Sequence, residues 1–181
     1  ISLIGDIQER IRLIDSKGYE HKAKLTILKE AARTLNYLTE NNLLQYADLE
    51  KKVEDVHISY DRTGKELKAV EARLREVQPL IKNISNYQRL KPVYDAFQKA
   101  KDKPSFKAKH EAELVIFEAT RSTLLAMQGD EKLPSLKTLQ AEQQRLLEEQ
   151  QRLYDERAKL KKEEKKIETI KSNVDTFLAP S

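Results

Sequence analysis

From Leu49 to Ile84 the chain reads LEKKVEDVHISYDRTGKELKAVEARLREVQPLIKNI. Its apolar residues fall at Leu49, Val53, Val56, Tyr60, Leu67, Val70, Leu74, Val77, Ile81 and Ile84. With Thr63 filling the one gap, successive positions are separated by alternating steps of four and three. That alternation averages about 3.5 residues, the period of a left-handed coiled-coil seam, and it is sustained for roughly five heptads. The residues between are mostly charged. A helix with one apolar stripe is marginal alone in water, so this stretch requires a partner.

The partner is sought near the end of the chain. Leu139, Leu146, Leu153, Leu160, Ile167 and Val174 recur every seven residues. Their companion positions, Gln143, Gln150, Arg157, Glu164 and Lys171, are polar, so this helix carries half a seam. Glu142, Glu149, Glu156 and Glu163 line one flank. If the chain turns over between residues 100 and 135, Leu139 meets the region of Ile84 and Val174 meets Leu49. Each seam spans 35 residues, which at a rise of about 1.5 Å per residue is roughly 50 Å.

The expectation is an all-α, elongated antiparallel coiled-coil hairpin. Residues 45–84 and 136–178 form its shaft, 85–135 a small basic helical bundle at the tip, and 1–44 short helices at the base. The alternative is an up-down-up bundle whose last helix overhangs and is completed by a second subunit. In that arrangement the polar half seam marks a missing helix, and the molecule is a homodimer.

The remaining segments fit either arrangement. Ile4, Ile7, Ile11 and Ile14 have helical spacing, and Ser16-Lys17-Gly18 is expected to stop that helix. A second helix over about 19–40 places Leu28, Ala31, Ala32, Leu35 and Leu38 on one face, and Asn41-Asn42 marks a turn. Gly64 lies inside the long helix at a cost of about 1 kcal/mol relative to alanine. Pro79 predicts a bend rather than a break, because the heptad runs through it, and Pro92 predicts a second. Lys101 to Ser105 reads as a loop with Ser105 as N-cap of a helix over 106–128, which Gly129 ends; Ser135 caps the last helix.

Composition narrows the function classes. Of 181 residues 35% are charged, only four are Gly and none is Trp, a mix typical of long helices and coiled coils. There is no Cys, so disulfides and thiolate chemistry are excluded, and a reducing cytoplasm is the expected location. No apolar run approaches the roughly 20 residues needed to cross a bilayer. Ile1 is not an initiator methionine, which suggests a piece of a longer protein. His21, His57 and His110 are scattered, with no metal-ligand spacing, no phosphate-cradling glycine loop and no nucleophile elbow nearby. No cofactor, metal site or catalytic residue is therefore predicted, and the chain is not read as an enzyme.

One feature stands out from the average. The net charge is +4, yet Lys82, Arg89, Lys91, Lys99, Lys101, Lys103, Lys107 and Lys109 are opposed only by Asp95 and Asp102. These eight are the candidate nucleic-acid-binding residues. Phosphates would be neutralised by the cations, and Tyr87, Tyr94, Phe97 and Phe106, interleaved with them, could stack on bases. The competing reading makes the aromatics core residues and the lysines mere solubilisers.

Four short stretches also carry a family resemblance. Leu35-Asn36-Tyr37-Leu38-Thr39-Glu40-Asn41-Asn42-Leu43, Pro92-Val93-Tyr94-Asp95-Ala96-Phe97, Lys132-Leu133-Pro134-Ser135-Leu136 and Ser172-Asn173-Val174-Asp175 keep their order along the chain. Together they resemble the helical region downstream of the nuclease domain in relaxases, the mobilisation nucleases of Gram-positive conjugative and mobilisable elements. Relaxases nick one strand at a transfer origin through a Tyr or His nucleophile and a histidine-held metal. No such histidine cluster stands here, so no Tyr inherits the nucleophile's role. The resemblance implies a non-catalytic C-terminal module that supports DNA transfer, by weak, sequence-tolerant contact with single-stranded or duplex DNA or by recruiting transfer-machinery proteins. The rival function is a dimerisation stalk that touches no nucleic acid.

Overall fold

The computed structural model describes residues 2–16, 21–129 and 132–180. They form six helices and no strand: α1 (Leu3–Ser16), α2 (His21–Glu40), α3 (Tyr46–Lys99), α4 (Lys103–Lys109), α5 (Glu111–Gln128) and α6 (Leu136–Leu178). The all-α class is as expected. The helix stop predicted at Lys17-Gly18 lies outside the described residues. The chain groups into two compact units, one of residues 1–65 with 154–181 and one of 66–153.

In the first unit, α2 ends as its sequence requires. Asn42 adopts the left-handed conformation, with φ 56°. Its N–H donates to the Thr39 carbonyl at 3.2 Å, and that of Leu43 to the Leu38 carbonyl at 2.8 Å. This is the paired-bond termination in which a residue beyond the helix also packs back on it. Leu38 and Leu43 accordingly share one apolar cluster with Leu3, Ile7, Tyr37, Leu49, Ile167, Ile170 and Val174. The face of α2 differs from the expected one. Ala31, Thr34, Tyr37 and Leu38 are buried, whereas Ala32 is exposed and Leu35 only half-buried. Tyr37 can face inward because its hydroxyl donates to Glu163 Oε1 at 2.5 Å, so its polar tip is not stranded.

Within this unit α3 and α6 are antiparallel. Tyr46 Oη donates to Asp175 Oδ1 at 2.6 Å, His57 Nε2 lies 3.1 Å from Glu168 Oε1, and Arg157 Nη1 donates to the Tyr60 carbonyl at 2.9 Å. Partner numbers fall on α6 as they rise on α3. Three of the polar companion positions are used across the pair. Arg157 also lies over the Tyr60 ring at 4.1 Å, Lys171 over Tyr46 at 5.8 Å, and Glu164 faces His57. Gly64 has a local purpose: a Cβ there would stand 2.6 Å from Arg157 Nη1. The glycine is the space the guanidinium occupies.

In the second unit, α3 and α6 share a cluster of Val77, Leu80, Ile84 and Leu139, joined by Leu124 of α5. Arg73 grips Glu142 with two hydrogen bonds, Nε to Oε1 at 2.6 Å and Nη2 to Oε2 at 3.1 Å. Helix α3 continues through both Pro79 and Pro92. The predicted helix over 106–128 is instead two helices meeting at His110. The predicted cap is also displaced: Asp102, not Ser105, caps α4, its Oδ1 accepting from the Ser105 N–H at 3.2 Å. Asp is a strong N-cap, and Pro104 then falls in the first turn, where its missing donor does no harm. Gly129 ends α5 with φ 62°, and Ser135 Oγ accepts from the Thr138 N–H at 3.1 Å at the start of α6.

Candidate nucleic-acid interface

All eight predicted basic residues belong to the second unit and all are exposed. Lys82, Arg89, Lys91 and Lys99 lie on α3, Lys101 in the connection that follows, and Lys103, Lys107 and Lys109 on α4. Seven-residue spacing puts Lys82 and Arg89 on one face of α3, while Lys91 projects from nearly the opposite side. Lys103 and Lys107, four apart, share a face of α4. The sequence-contiguous group Lys99, Lys101, Lys103 and Lys107 therefore occupies the corner where the chain leaves α3 and enters α4.

Only Lys91 of the eight makes an ion pair among the described residues, with Asp95 Oδ2 at 3.0 Å. That hydrogen bond raises the lysine's pKa above its ordinary value and leaves its charge already matched. Arg89 reaches Asn86 Oδ1 at 3.3 Å. Exposed cations that form no ion pair keep their attraction for an external anion.

The aromatics are committed elsewhere. Tyr87 and Tyr94 stack on Phe117, with ring centroids 5.1 and 4.5 Å apart, and Phe117 is only 1% exposed. Phe97 lies 6.1 Å from Phe106, which stacks on His110 at 4.5 Å. The four rings named as base platforms are all half-buried and packed among themselves, Phe117 and His110. The reason is the break at His110: α5 can turn Leu114, Phe117, Thr120 and Leu124 inward as one buried face. What remains is an open recess of about 320 Å³, lined by Tyr94, Phe97, Leu114 and Val115 with Lys107 and the carboxylates Glu111 and Glu118.

Sequence reading passed over Arg121, whose guanidinium lies 5.8 Å from the Tyr94 ring centre and donates to its hydroxyl at 3.4 Å. Its spacing from Phe117 and Leu124 put it beside the buried face of α5, but nothing in the sequence linked it to Tyr94. The histidines do not come together, yet His57 does meet carboxylates from α6. No helix among the described residues is long and apolar enough to cross a membrane. Comparison with protein-family models, curated proteins and solved structures finds no match to this chain.

Proposed function

We propose that this chain is the non-catalytic helical module of a DNA-transfer relaxase, and that its second unit holds DNA by the phosphate backbone. The observation that carries the reading is that all eight basic side chains are exposed and seven make no ion pair among the described residues. The order of the relaxase-like stretches supplies the biological setting. Because the aromatic rings are engaged with one another, the contact is electrostatic, and it should not favour single strands through stacking.

Helical curvature aims about half of the eight cations at one backbone, so about four phosphates are neutralised and the log-log salt slope is about −3 to −4. Fluorescence anisotropy with labelled duplex and single strands, at salt concentrations upward of about 50 mM, tests this. Changing Lys99, Lys101, Lys103 and Lys107 together to Glu should abolish binding without loss of helix. The same change at Lys159, Lys161, Lys162 and Lys165 should have little effect. Equal loss from both quadruple variants, or no binding at low salt, contradicts the proposal.

A second reading has its own observation. On α5, Val115 is 61% exposed, Ile116 43% and Leu125 59%. Exposed apolar side chains of this kind suit a protein partner, and that is the surviving function if DNA binding fails. In either case the isolated chain should not nick supercoiled origin DNA with Mg²⁺ or Mn²⁺. Nicking that a single Tyr→Phe change abolishes would overturn the non-catalytic assignment.

A further inference from the structure

The first unit brings together three side chains that the sequence keeps 107 and 111 positions apart: His57 on α3, and Glu164 and Glu168 on α6. One donor atom from each lies within 4.8 Å of the others. The imidazole Nε2 is 3.1 Å from Glu168 Oε1 and 4.0 Å from Glu164 Oε2. The two carboxylates stand four residues apart, so one helix presents both on the same face. The antiparallel partner supplies the nitrogen from the other side.

We propose that His57, Glu164 and Glu168 form a binding site for a divalent transition-metal ion of the zinc class, which staples α3 to α6. Tetrahedral coordination with bonds of about 2.0–2.2 Å requires donors about 3.3–3.6 Å apart. The observed separations bracket that figure, so side-chain rotation alone can close the triad. The donor set selects the ion. An imidazole nitrogen with two carboxylate oxygens suits zinc and its neighbours, whereas magnesium and calcium prefer oxygen throughout. The side chains of His57 and Glu168 are 45% and 53% exposed, which leaves the remaining coordination position to water.

A supporting contact orients one ligand. Lys161 Nζ lies 3.2 Å from Glu164 Oε1, leaving Oε2 as the oxygen that faces His57. Fixing a ligating carboxylate through its other oxygen is how outer contacts tune metal sites. The same ammonium charge opposes the incoming cation, so the site is a modest binder that titrates visibly, not a permanently loaded one. Bound metal would stabilise the folded chain by mass action, since the three donors converge only when α3 and α6 are paired.

The test is zinc titration by calorimetry on the full chain in a non-chelating buffer near pH 7.5, with thermal melts in the presence and absence of the ion. One Zn²⁺ per chain should bind and Tm should rise. His57→Gln and, independently, Glu168→Gln should each lower affinity by roughly tenfold or more. Both positions are exposed, so circular dichroism should find both variants folded. His110→Gln should bind as the parent does, because His110 faces the single carboxylate of Glu113. Absence of zinc binding, unchanged affinity in His57→Gln or Glu168→Gln, or equal loss in His110→Gln would each overturn the proposal. So would Mg²⁺ competing at concentrations equal to those of Zn²⁺.

Discussion

Replacing Gly64 by alanine should destabilise this protein even though alanine is the better helix former. The substitution gains about 1 kcal/mol of helix propensity. It also drives a methyl group into Arg157 Nη1, which donates to the Tyr60 carbonyl at 2.9 Å and lies 3.3 Å from Thr63 Oγ1. Hydrogen bonds from a charged group contribute about 1.5–3 kcal/mol, so the net effect should be a loss on the order of 1 kcal/mol. With Arg157 already replaced by alanine, Gly64→Ala should reverse sign and stabilise by about 1 kcal/mol. Urea unfolding of the four proteins in this cycle reads the coupling directly. Additive effects would mean that the glycine and the arginine are unrelated.

Protonation at three other residues gives the stability curve its edges. The hydrogen bond from Tyr46 holds the Asp175 carboxyl below its ordinary 3.8, and that from Arg73 holds Glu142 below 4.5. A depressed folded-state pKa contributes stability that is present above the ordinary value and is lost as pH falls through the lowered one. Burial, reinforced by the Glu163 carboxylate, pushes the Tyr37 hydroxyl well above 10. That contribution is complete below pH 10 and is lost as the solution becomes more alkaline. Chemical unfolding at pH 3, 7 and 11 should therefore give its maximum at the middle value. Asp175→Asn should flatten the acid limb and Tyr37→Phe the alkaline one.

Among the elements, the seams of α3 and α6 were legible because burial follows their period. Leu49, Val56, Thr63, Leu67, Leu74, Val77 and Ile84 are buried on α3, and Leu139, Leu153, Ile167 and Val174 on α6, whereas Val53, Tyr60, Val70, Ile81, Leu146 and Leu160 are only half-buried. Leu153→Ala should cost about 3 kcal/mol, since the side chain is 0% exposed and its loss leaves a cavity. Thermal or urea denaturation measures it; a loss below about 1 kcal/mol would place Leu153 outside a packed seam. Asp102→Ala should cost about 1 kcal/mol through the lost α4 cap, and Ser105→Ala much less. Helix boundaries were legible where a single residue offered the geometry, the stops at Asn42 and Gly129 and the start of α6 at Ser135. The start of α4 was not, because Asp102 and Ser105 are both good caps and only the backbone decides between them. The face of α2 was misjudged because Tyr37 was weighed without Glu163, a partner 126 residues away.

For the molecule as a whole, composition and charge pointed to an all-helical chain with a basic region, and the structure keeps those cations exposed. It corrects the aromatics: interleaving with lysine said nothing about which way a ring faces, and Phe117 proved the residue that gathers Tyr87 and Tyr94. The His57 triad was hidden for a related reason. Matching Leu49 with Val174 and Ile84 with Leu139 sets residue 57 against residue 166, between Glu164 and Glu168. The antiparallel register was thus enough to find it, but a search for local ligand spacing was not.

The central claim is that antiparallel register of α3 and α6 in the first unit, and it has a direct test. The chain has no Cys, so cysteines introduced in pairs are the only sites for spin labels. Asp48 and Ser172 are exposed and lie within about a turn of facing each other, and Asp155 lies 17 residues before Ser172 on α6. At about 1.5 Å per residue, pulsed electron paramagnetic resonance should find the 48–155 separation much the longer, with α6 positions about 25 Å apart along the axis. A shorter distance for 48–155 than for 48–172 would mean parallel helices and would contradict the account.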